Sequence, residues 1–274
     1  MHLIGNVTDQ TKAAVSTETV RDQPRFSVDG KFLSHGSQRV RLRGVTYGPF
    51  PPRDDSAPFP APKAVRHDLE LMAAIGINAI RTYHVPPFWL LDSISRHSQL
   101  AVLIDVPWSK HTCFLDSARA RAEARQAVRE AALSGQCCPC VLGYSIGNEI
   151  PPDVVRWHGT KRVERFLAEL ADIAKQADPQ GLTTYGNYPP TEYLELDFLD
   201  FAMFNVYLHD RATFRRYLFR LQNLVGPKPL MLGELGMDTL RHGELSQAEF
   251  LTGHVAEANE LGLAGSFVFS WTDE

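Results

Sequence analysis

Eight short runs of apolar and β-branched residues alternate with segments of helical periodicity, and this alternation constrains the fold of the chain more than any other feature. The runs span residues 40–46, 77–81, 100–105, 141–146, 182–185, 201–206, 230–233 and 264–270. Continuous apolar runs are typical of strands that are buried on both faces of a parallel sheet. Eight such strands, with seven helical segments between them, predict an α/β fold, a (β/α)₈ TIM barrel.

Two of the helical segments show their boundaries in the sequence. Residues 161–177 place their apolar side chains on one face, and the following Asp178-Pro-Gln-Gly181 predicts the end of that helix. Ser246-Gln-Ala-Glu249 has the pattern of a capping box, which predicts that the last helix begins there.

A doubly wound open sheet is the main alternative to the barrel. Such a sheet usually has a glycine-rich nucleotide loop after its first strand, but residues 47–52 contain three prolines, which lack the N–H donors of a phosphate cradle. Asp29-Gly30, between short alternating runs, predicts an N-terminal β-hairpin. Residues 1–24 are predicted to be a flexible arm and residues 25–274 the barrel domain. The sequence stops directly after the eighth strand, so we expect it to be cut from a longer polypeptide.

Composition narrows the classes of partner. The 274 residues carry a net charge of −4, which does not favour nucleic acid or an anionic membrane surface. No apolar stretch approaches the roughly 20 residues that span a bilayer. The N-terminus lacks the basic start and apolar run of a signal peptide, so we expect a cytoplasmic protein. No cofactor is expected.

Four cysteines, Cys113, Cys137, Cys138 and Cys140, raise the question of a metal site. Cys137 and Cys140 form a C-x-x-C pair, which only Cys113 and His111 could complete as a zinc site. The alternative is that small residues pack where a helix meets a buried strand. We favour this packing and predict no metal.

Two glutamates follow buried apolar runs, which is unusual for a solvated carboxylate. Glu149 ends the fourth strand region and Glu234 ends the seventh. Reactive side chains in such barrels lie at the C-terminal ends of the strands, so we expect the two carboxyl groups to face one another. Two facing carboxyl groups are what the cleavage of a glycosidic bond requires. The other strand ends contribute amides, aromatic rings and cations, namely Tyr47, Arg81, His84, Asp105, Trp108, Asn148, Asn187, Asn205, Tyr207 and Trp271.

The order of these motifs resembles glycoside hydrolase clan A, the retaining barrel enzymes. The matching motifs are Arg81-Thr-Tyr-His84, Asp105-Val-Pro-Trp108, Gly147-Asn-Glu149, Phe204-Asn-Val-Tyr207, Gly233-Glu234 and Phe269-Ser-Trp271. The second-strand and third-strand motifs look most like the barrel of family 2 glycoside hydrolases. The longer match, which includes Asn187-Tyr-Pro-Pro and Ser270-Trp-Thr-Asp-Glu274, resembles barrel domains fused to a bacterial family 2 glycosyltransferase.

The resemblance implies a role for each matching residue. Glu149 would be the general acid/base and Glu234 the nucleophile. Asn148 would hydrogen-bond the sugar 2-hydroxyl, and Arg81 and Tyr207 would hydrogen-bond the nucleophile. Trp271 would form the floor of the site that holds the cleaved sugar. His84, Trp108, Asn187 and Asn205 are the remaining candidate substrate contacts.

Structural roles are the alternatives for these residues. Each glutamate could cap a turn or a helix, Arg81 could form a structural ion pair, and Trp108 and Trp271 could be core aromatics. At the level of the whole chain, we expect a retaining glycosidase or transglycosylase that acts on a β-linked glucan or related oligosaccharide. A non-catalytic carbohydrate-binding or regulatory domain of a glycan-synthesising protein is the second hypothesis. A metal-dependent barrel hydrolase is disfavoured, because the ten histidines are scattered.

Overall fold

A small antiparallel sheet precedes the barrel in the structure, which is a computed structural model and describes residues 24–51 and 57–272. Its strands are β1 (Phe26–Asp29), β2 (Phe32–His35) and β3 (Gln38–Val40). Gly30 has a φ of 61° in the turn between β1 and β2, a conformation that glycine adopts without steric cost. The predicted hairpin is confirmed, and β3 is an addition too short to show alternation. Apart from Pro24, the predicted arm lies outside the described residues.

Eight parallel strands close into a barrel, as the sequence predicts. They are β4 (Leu42–Thr46), β5 (Ala79–Thr82), β6 (Ala101–Asp105), β7 (Val141–Asn148), β8 (Leu182–Asn187), β9 (Ala202–Asn205), β10 (Leu230–Leu235) and β11 (Gly265–Val268). Each strand pairs with the next one in the chain, and β11 pairs with β4 to complete the ring. All eight carboxyl ends therefore meet at one edge of the barrel.

Helices surround this ring. They are α1 (Pro62–Ala74), α2 (Phe88–His97), α3 (Ala118–Gly135), α4 (Pro152–His158), α5 (Thr160–Ala177), α6 (Arg211–Val225), α7 (Thr239–His242) and α8 (Glu244–Glu260). Between β8 and β9 the chain forms only a 3₁₀ turn, Pro189–Thr191, and no α-helix. Within the described ranges, no helix is long and apolar enough to cross a membrane.

The predicted helix ends differ in accuracy. The helix predicted over 161–177 is confirmed, since α5 starts one residue earlier and ends at Ala177. The capping box predicted at Ser246 is wrong, because α8 begins at Glu244 and Ser246 lies inside its first turn. The chain enters α8 directly from α7 through Gly243, which has a φ of 78° and serves as the N-cap.

The N-terminal hairpin closes the amino end of the barrel. Phe26 and Leu33 are buried in the same cluster as Leu103, Leu142 and Met203, which point into the barrel. Apolar side chains thus fill this end of the barrel, as is usual in such folds. The opposite, carboxyl-terminal end carries the polar residues.

A buried ion pair attaches the hairpin to the barrel. The Arg25 guanidinium lies 2.7 Å from Asp178 Oδ2, just before β8, and also donates to the Gln136 carbonyl oxygen. Tyr144 donates its hydroxyl hydrogen to the same Asp178 oxygen at 2.7 Å. Both charged side chains are less than one-tenth exposed, so this contact belongs to the interior of the molecule.

Candidate active site

The carboxyl ends of five barrel strands bring predicted site residues into one connected cluster. The members are Arg81 on β5, Asp105 on β6, Asn148 with Glu149 on and after β7, Asn205 on β9, and Glu234 on β10. Hydrogen bonds join all six side chains. The two glutamates, which are 85 residues apart in the sequence, therefore belong to one site.

Arg81 is the centre of this cluster and is fully buried. Its guanidinium donates to Asp105, with Nε–Oδ2 at 3.0 Å, and to Asn148 Oδ1 at 2.9 Å. It also donates to Asn205 Oδ1 and Glu234 Oε1, both at 3.1 Å. Burial acts to lower the pKa of Arg81, but the negative charges of Asp105 and Glu234 contribute to a net increase, so it remains a cation.

Three donors hold the carboxylate of Glu234. Arg81 and Tyr83 donate to Oε1, the latter at 2.6 Å, and Tyr207 donates to Oε2 at 2.8 Å. The hydrogen bonds that the resemblance implies for Arg81 and Tyr207 are therefore present. These three donors, one on β5 and two just after β5 and β9, fix the orientation of this carboxyl group. Burial raises the pKa of both tyrosines, which keeps them protonated as donors.

Glu149 occupies a different environment and an unusual backbone conformation. Its φ of 48° is the only positive value at a non-glycine residue in the described part of the chain. The conformation is held because its N–H donates to the Gly186 carbonyl oxygen at 2.8 Å and the next N–H, of Ile150, donates to the Tyr185 hydroxyl. Backbone strain of this kind is common at functional sites.

The surroundings of Glu149 favour its protonated form. Burial raises the pKa of its carboxyl group, and the nearby charge of Glu234 adds to the increase. A hydrogen bond from Asn205 Nδ2 to Oε1, at 2.9 Å, acts in the opposite direction without reversing it. The two carboxyl groups therefore differ, with Glu234 held by three donors and Glu149 by one.

Two glycines make room for the cluster. A Cβ atom on Gly186 would lie 2.0 Å from Asn148 Oδ1. A Cβ atom on Gly233 would lie 2.6 Å from Asn205 Oδ1 and 2.9 Å from Arg81 Nη1. Any side chain at either position would displace a member of the network.

Two predicted substrate contacts, Asn187 and Trp108, also take part in local structure. Asn187 is buried, and its Oδ1 accepts hydrogen bonds from the Tyr188 N–H and the Thr191 hydroxyl, which fixes its own turn. Trp108 donates from Nε1 to the Ile146 carbonyl oxygen at 2.8 Å and packs edge-on against core aromatic rings. These contacts fit the structural alternative stated for Trp108, and substrate binding by Trp108 and Asn187 remains a prediction.

His84 and Trp271 lie at strand ends, outside the hydrogen-bonded cluster. His84 is half-buried, and burial lowers the pKa of its imidazole. Trp271 is half-buried against the core, and its backbone N–H donates to the Thr46 carbonyl oxygen at 3.0 Å. The substrate contacts predicted for these two residues remain predictions.

Two further residues belong to the site although the sequence did not single them out. Tyr83 lies two positions after Arg81, within a matching motif, and alternation along β5 would have placed both side chains on one face. Lys110 follows β6 by five residues and interacts electrostatically with both glutamates. No pattern marks it, because its position depends on the path of a loop.

Among the described residues, Cys137 and Cys140 do not converge with Cys113 and His111 into a group of potential metal ligands. Cys138 and Cys140 are buried and Cys137 is exposed. One potential metal-binding group in the described residues combines Cys113, Asp116 and His158, with ligand atoms within 4.8 Å of one another. However, His158 Nε2 accepts the Leu115 N–H at 3.3 Å, which places the ring proton on Nδ1, the nitrogen nearest Asp116. That protonation opposes metal binding.

An open cavity of about 570 Å³ adjoins the site. Tyr207, which holds Glu234, lines it together with His209, Asp238 and the backbone near Phe269. A second cavity, of about 360 Å³, lies beside β8 and β9 along the connection that lacks an α-helix. Of these two cavities, only the first is lined by a side chain that contacts a candidate catalytic glutamate, namely Tyr207.

Comparison with known proteins finds relatives that share the barrel fold. No family model matches the sequence. A protein of Formosa agariphila assigned as a beta-glucuronidase is 26% identical over 125 residues, which are 45% of this chain and 15% of that protein.

Solved structures align over nearly the whole chain. The beta-glucuronidase of Bacteroides uniformis has a TM-score of 0.77 at 17% identity, over 90% of this chain and 32% of that one. The Ruminococcus gnavus enzyme in complex with D-glucuronic acid has a TM-score of 0.79 at 14% identity, over 91% and 46%. The GH2 beta-galacturonidase of Eisenbergiella tayi bound to galacturonate has a TM-score of 0.76 at 17% identity, over 90% and 46%. These similarities show a shared barrel, and this chain spans less than half of each relative.

Proposed function

We propose that the protein is a retaining β-glycosidase, with Glu234 as nucleophile and Glu149 as general acid/base. The observation that carries this proposal is the contrast between the two carboxyl groups of one site. Glu234 accepts hydrogen bonds from Arg81, Tyr83 and Tyr207, whereas the pKa of Glu149 is raised. Two carboxyl groups of one site in such different environments fit the division between a general acid and a nucleophile.

The first step joins the sugar to the protein. A Glu234 carboxylate oxygen attacks the anomeric carbon, and the bond from that carbon to the leaving oxygen breaks. Glu149 transfers its proton to the leaving oxygen, so the aglycone departs as a neutral alcohol and Glu149 becomes a carboxylate. The Glu234 carboxylate loses its negative charge when its oxygen forms the new ester bond.

The second step regenerates both carboxyl groups. Glu149, now ionised, takes a proton from water, and the water oxygen attacks the anomeric carbon as the ester bond to Glu234 breaks. Two inversions give net retention. A sugar hydroxyl in place of water would give transglycosylation by the same step, and both outcomes belong to the proposal.

The relatives support a glycoside as the substrate, without specifying which sugar it carries. Those named above are assigned as beta-glucuronidases or as a beta-galacturonidase, which cleave glycosidic bonds. The fusion to a glycosyltransferase remains a prediction from the sequence and has no support among these relatives.

A nucleophile variant tests the proposal. Wild-type protein and Glu234→Gln are assayed on a panel of 4-nitrophenyl β-glycosides, and the anomer first formed is followed by NMR. We expect release of the β-anomer by the wild type and a rate reduced by at least about 10³-fold in the variant. Glu249→Gln, on the exposed face of α8, is the matched control. Full activity of Glu234→Gln, or release of the inverted anomer, would refute the mechanism.

A further inference from the structure

Lys110 is a half-buried cation at the candidate active site whose donors are unused. It lies in the loop that follows β6. Among the described residues, no side chain or carbonyl group hydrogen-bonds its ammonium group, and no carboxylate lies within ion-pair distance of it. A lysine ammonium carries three donors and usually finds water or an acceptor for them. A partly desolvated ammonium without a partner is suited to receive a ligand.

The loop that carries Lys110 is fixed on the strand that delivers Glu149. Trp108 donates to the Ile146 carbonyl oxygen on β7, and the Lys110 N–H donates to the Trp108 carbonyl oxygen, both at 2.8 Å. The indole covers Gly147, where an added Cβ would lie 3.2 Å from Trp108 Cζ2. The backbone of Lys110 is thus held against the end of the strand that presents Glu149.

Charge interactions tie the ammonium to the same cluster. Burial lowers the pKa of Lys110, and the charges of Asp105, Arg81, Glu149 and Glu234 all act on it. The ammonium therefore lies within electrostatic range of both glutamates. A ligand bound between the two carboxyl groups would lie within its reach.

Arg81, the other cation of the cluster, is unable to serve a ligand in this way. It is fully buried, and its guanidinium already donates to Asp105, Asn148, Asn205 and Glu234. A charge-assisted hydrogen bond to an anionic group on a bound sugar requires a cation with free donors. Of the two cations in the cluster, Lys110 alone meets that requirement.

We propose that Lys110 binds the carboxylate of a uronic acid, so that the substrate is a β-linked uronide and not a neutral hexoside. This inference rests on the proposed glycosidase function and names the substrate class of the same site. Hydrogen bonds between charged partners are about twice as strong as neutral ones, so one ammonium gives useful selectivity. The relatives bound to D-glucuronic acid and to galacturonate hold ligands of this chemistry.

Paired substrates test the role of Lys110. We measure kcat/KM for 4-nitrophenyl β-D-glucuronide and β-D-glucoside with wild type, Lys110→Met, Lys110→Arg and the exposed control Lys63→Met. The wild type should prefer the glucuronide. Lys110→Met should lower kcat/KM for the glucuronide about 10- to 100-fold more than that for the glucoside, as expected for a charged hydrogen bond made by the glucuronide alone. Lys110→Arg should retain part of the preference, and Lys63→Met all of it.

Two results would overturn the inference. One is an equal loss on both substrates in Lys110→Met. The other is a shifted pH profile with unchanged selectivity, since Lys110 would then act only as a counter-charge to the glutamates.

A binding measurement separates this inference from the proposed function. NMR titration of the wild type and Lys110→Met with D-glucuronate and D-glucose requires no turnover. Glucuronate binding that depends on Lys110, without cleavage of any aryl glycoside, would uphold anion recognition and refute the glycosidase. Cleavage of glycosides without Lys110-dependent glucuronate binding would uphold the glycosidase and refute the role of Lys110. Absence of both would refute both.

Discussion

At the scale of single residues, the site makes two chemically identical side chains different. Glu234 accepts hydrogen bonds from a guanidinium and two phenols. Glu149 receives one amide hydrogen bond, and burial raises its pKa. The assignment of nucleophile and acid therefore depends on neighbours that lie on other strands.

Removing one of the hydrogen-bond donors that contact Glu234 tests this dependence. Tyr83→Phe deletes the 2.6 Å hydrogen bond to Oε1 and keeps the ring. A hydrogen bond to a charged group contributes about 1.5–3 kcal/mol, so we expect kcat/KM to fall roughly 10- to 100-fold. Tyr193→Phe, on the surface, is the control. Equal rates in the two variants would show that Tyr83 does not support the nucleophile.

The raised pKa of Glu149 predicts a pH-dependent cost to stability. The folded state holds this proton more tightly than the unfolded state, so the free energy of unfolding falls as the pH rises through the folded pKa. Glu149→Gln cannot ionise, so its stability relative to the wild type should increase as the pH rises above the ordinary carboxyl pKa of 4.5. Urea unfolding at several pH values measures this gain, with Glu249→Gln as the control. A constant difference between Glu149→Gln and wild type would contradict the prediction.

At the scale of elements, glycines at the strand ends leave the space that the buried side chains of the cluster occupy. Gly233→Ala would place a Cβ 2.6 Å from Asn205 Oδ1 and 2.7 Å from Met203 Cγ. Overpacking of this kind costs about 1–3 kcal/mol, so we expect a lower midpoint in urea and loss of activity.

The helical Gly253 is a matched control for this substitution. A Cβ at Gly253 on α8 meets nothing within 4 Å, and alanine favours helix by about 0.5–1 kcal/mol. Gly253→Ala should therefore be as stable as the wild type or more so. If both variants unfold at the same urea concentration, the cluster does not require Gly233.

The order of elements was predictable, but several contacts of single residues were not. The apolar runs mark all eight strands, because a strand buried on both faces needs continuous apolar residues. The apolar runs do not show which side chains at the strand ends also hold a turn, so the hydrogen bonds of Asn187 to Tyr188 and Thr191 were not foreseen. Lys110 could not be found, because the path of a loop is set by tertiary contacts such as the one between Trp108 and Ile146.

At the scale of the whole molecule, the candidate catalytic residues and the contacts that attach the N-terminal hairpin lie at opposite ends of the barrel. The N-terminal hairpin packs Phe26 and Leu33 into the amino end, and the Arg25–Asp178 pair attaches it there. The glutamates lie at the carboxyl end. Stability and activity should therefore respond separately to substitutions at the two ends.

Breaking the buried pair tests this separation. Asp178→Asn leaves the Arg25 guanidinium without its counter-charge, which costs about 3–5 kcal/mol at buried sites. The double variant Arg25→Met/Asp178→Asn should recover part of that loss, while kcat at a temperature where all variants are folded stays unchanged. Additive losses in urea unfolding, or a changed kcat, would contradict the separation.

Covalent trapping tests the central claim, that Glu234 and Glu149 act on one sugar, most directly. Aryl 2-deoxy-2-fluoro-β-glycosides of the glucose and glucuronic acid series react through the first step and accumulate as a glycosyl ester. After proteolysis, mass spectrometry should locate the sugar on the peptide that contains Glu234. Glu149→Gln should be labelled at the same residue, because an activated phenol leaves without a proton. A label on any other residue, or turnover of the parent glycoside by the wild type with no label at all, would contradict the account.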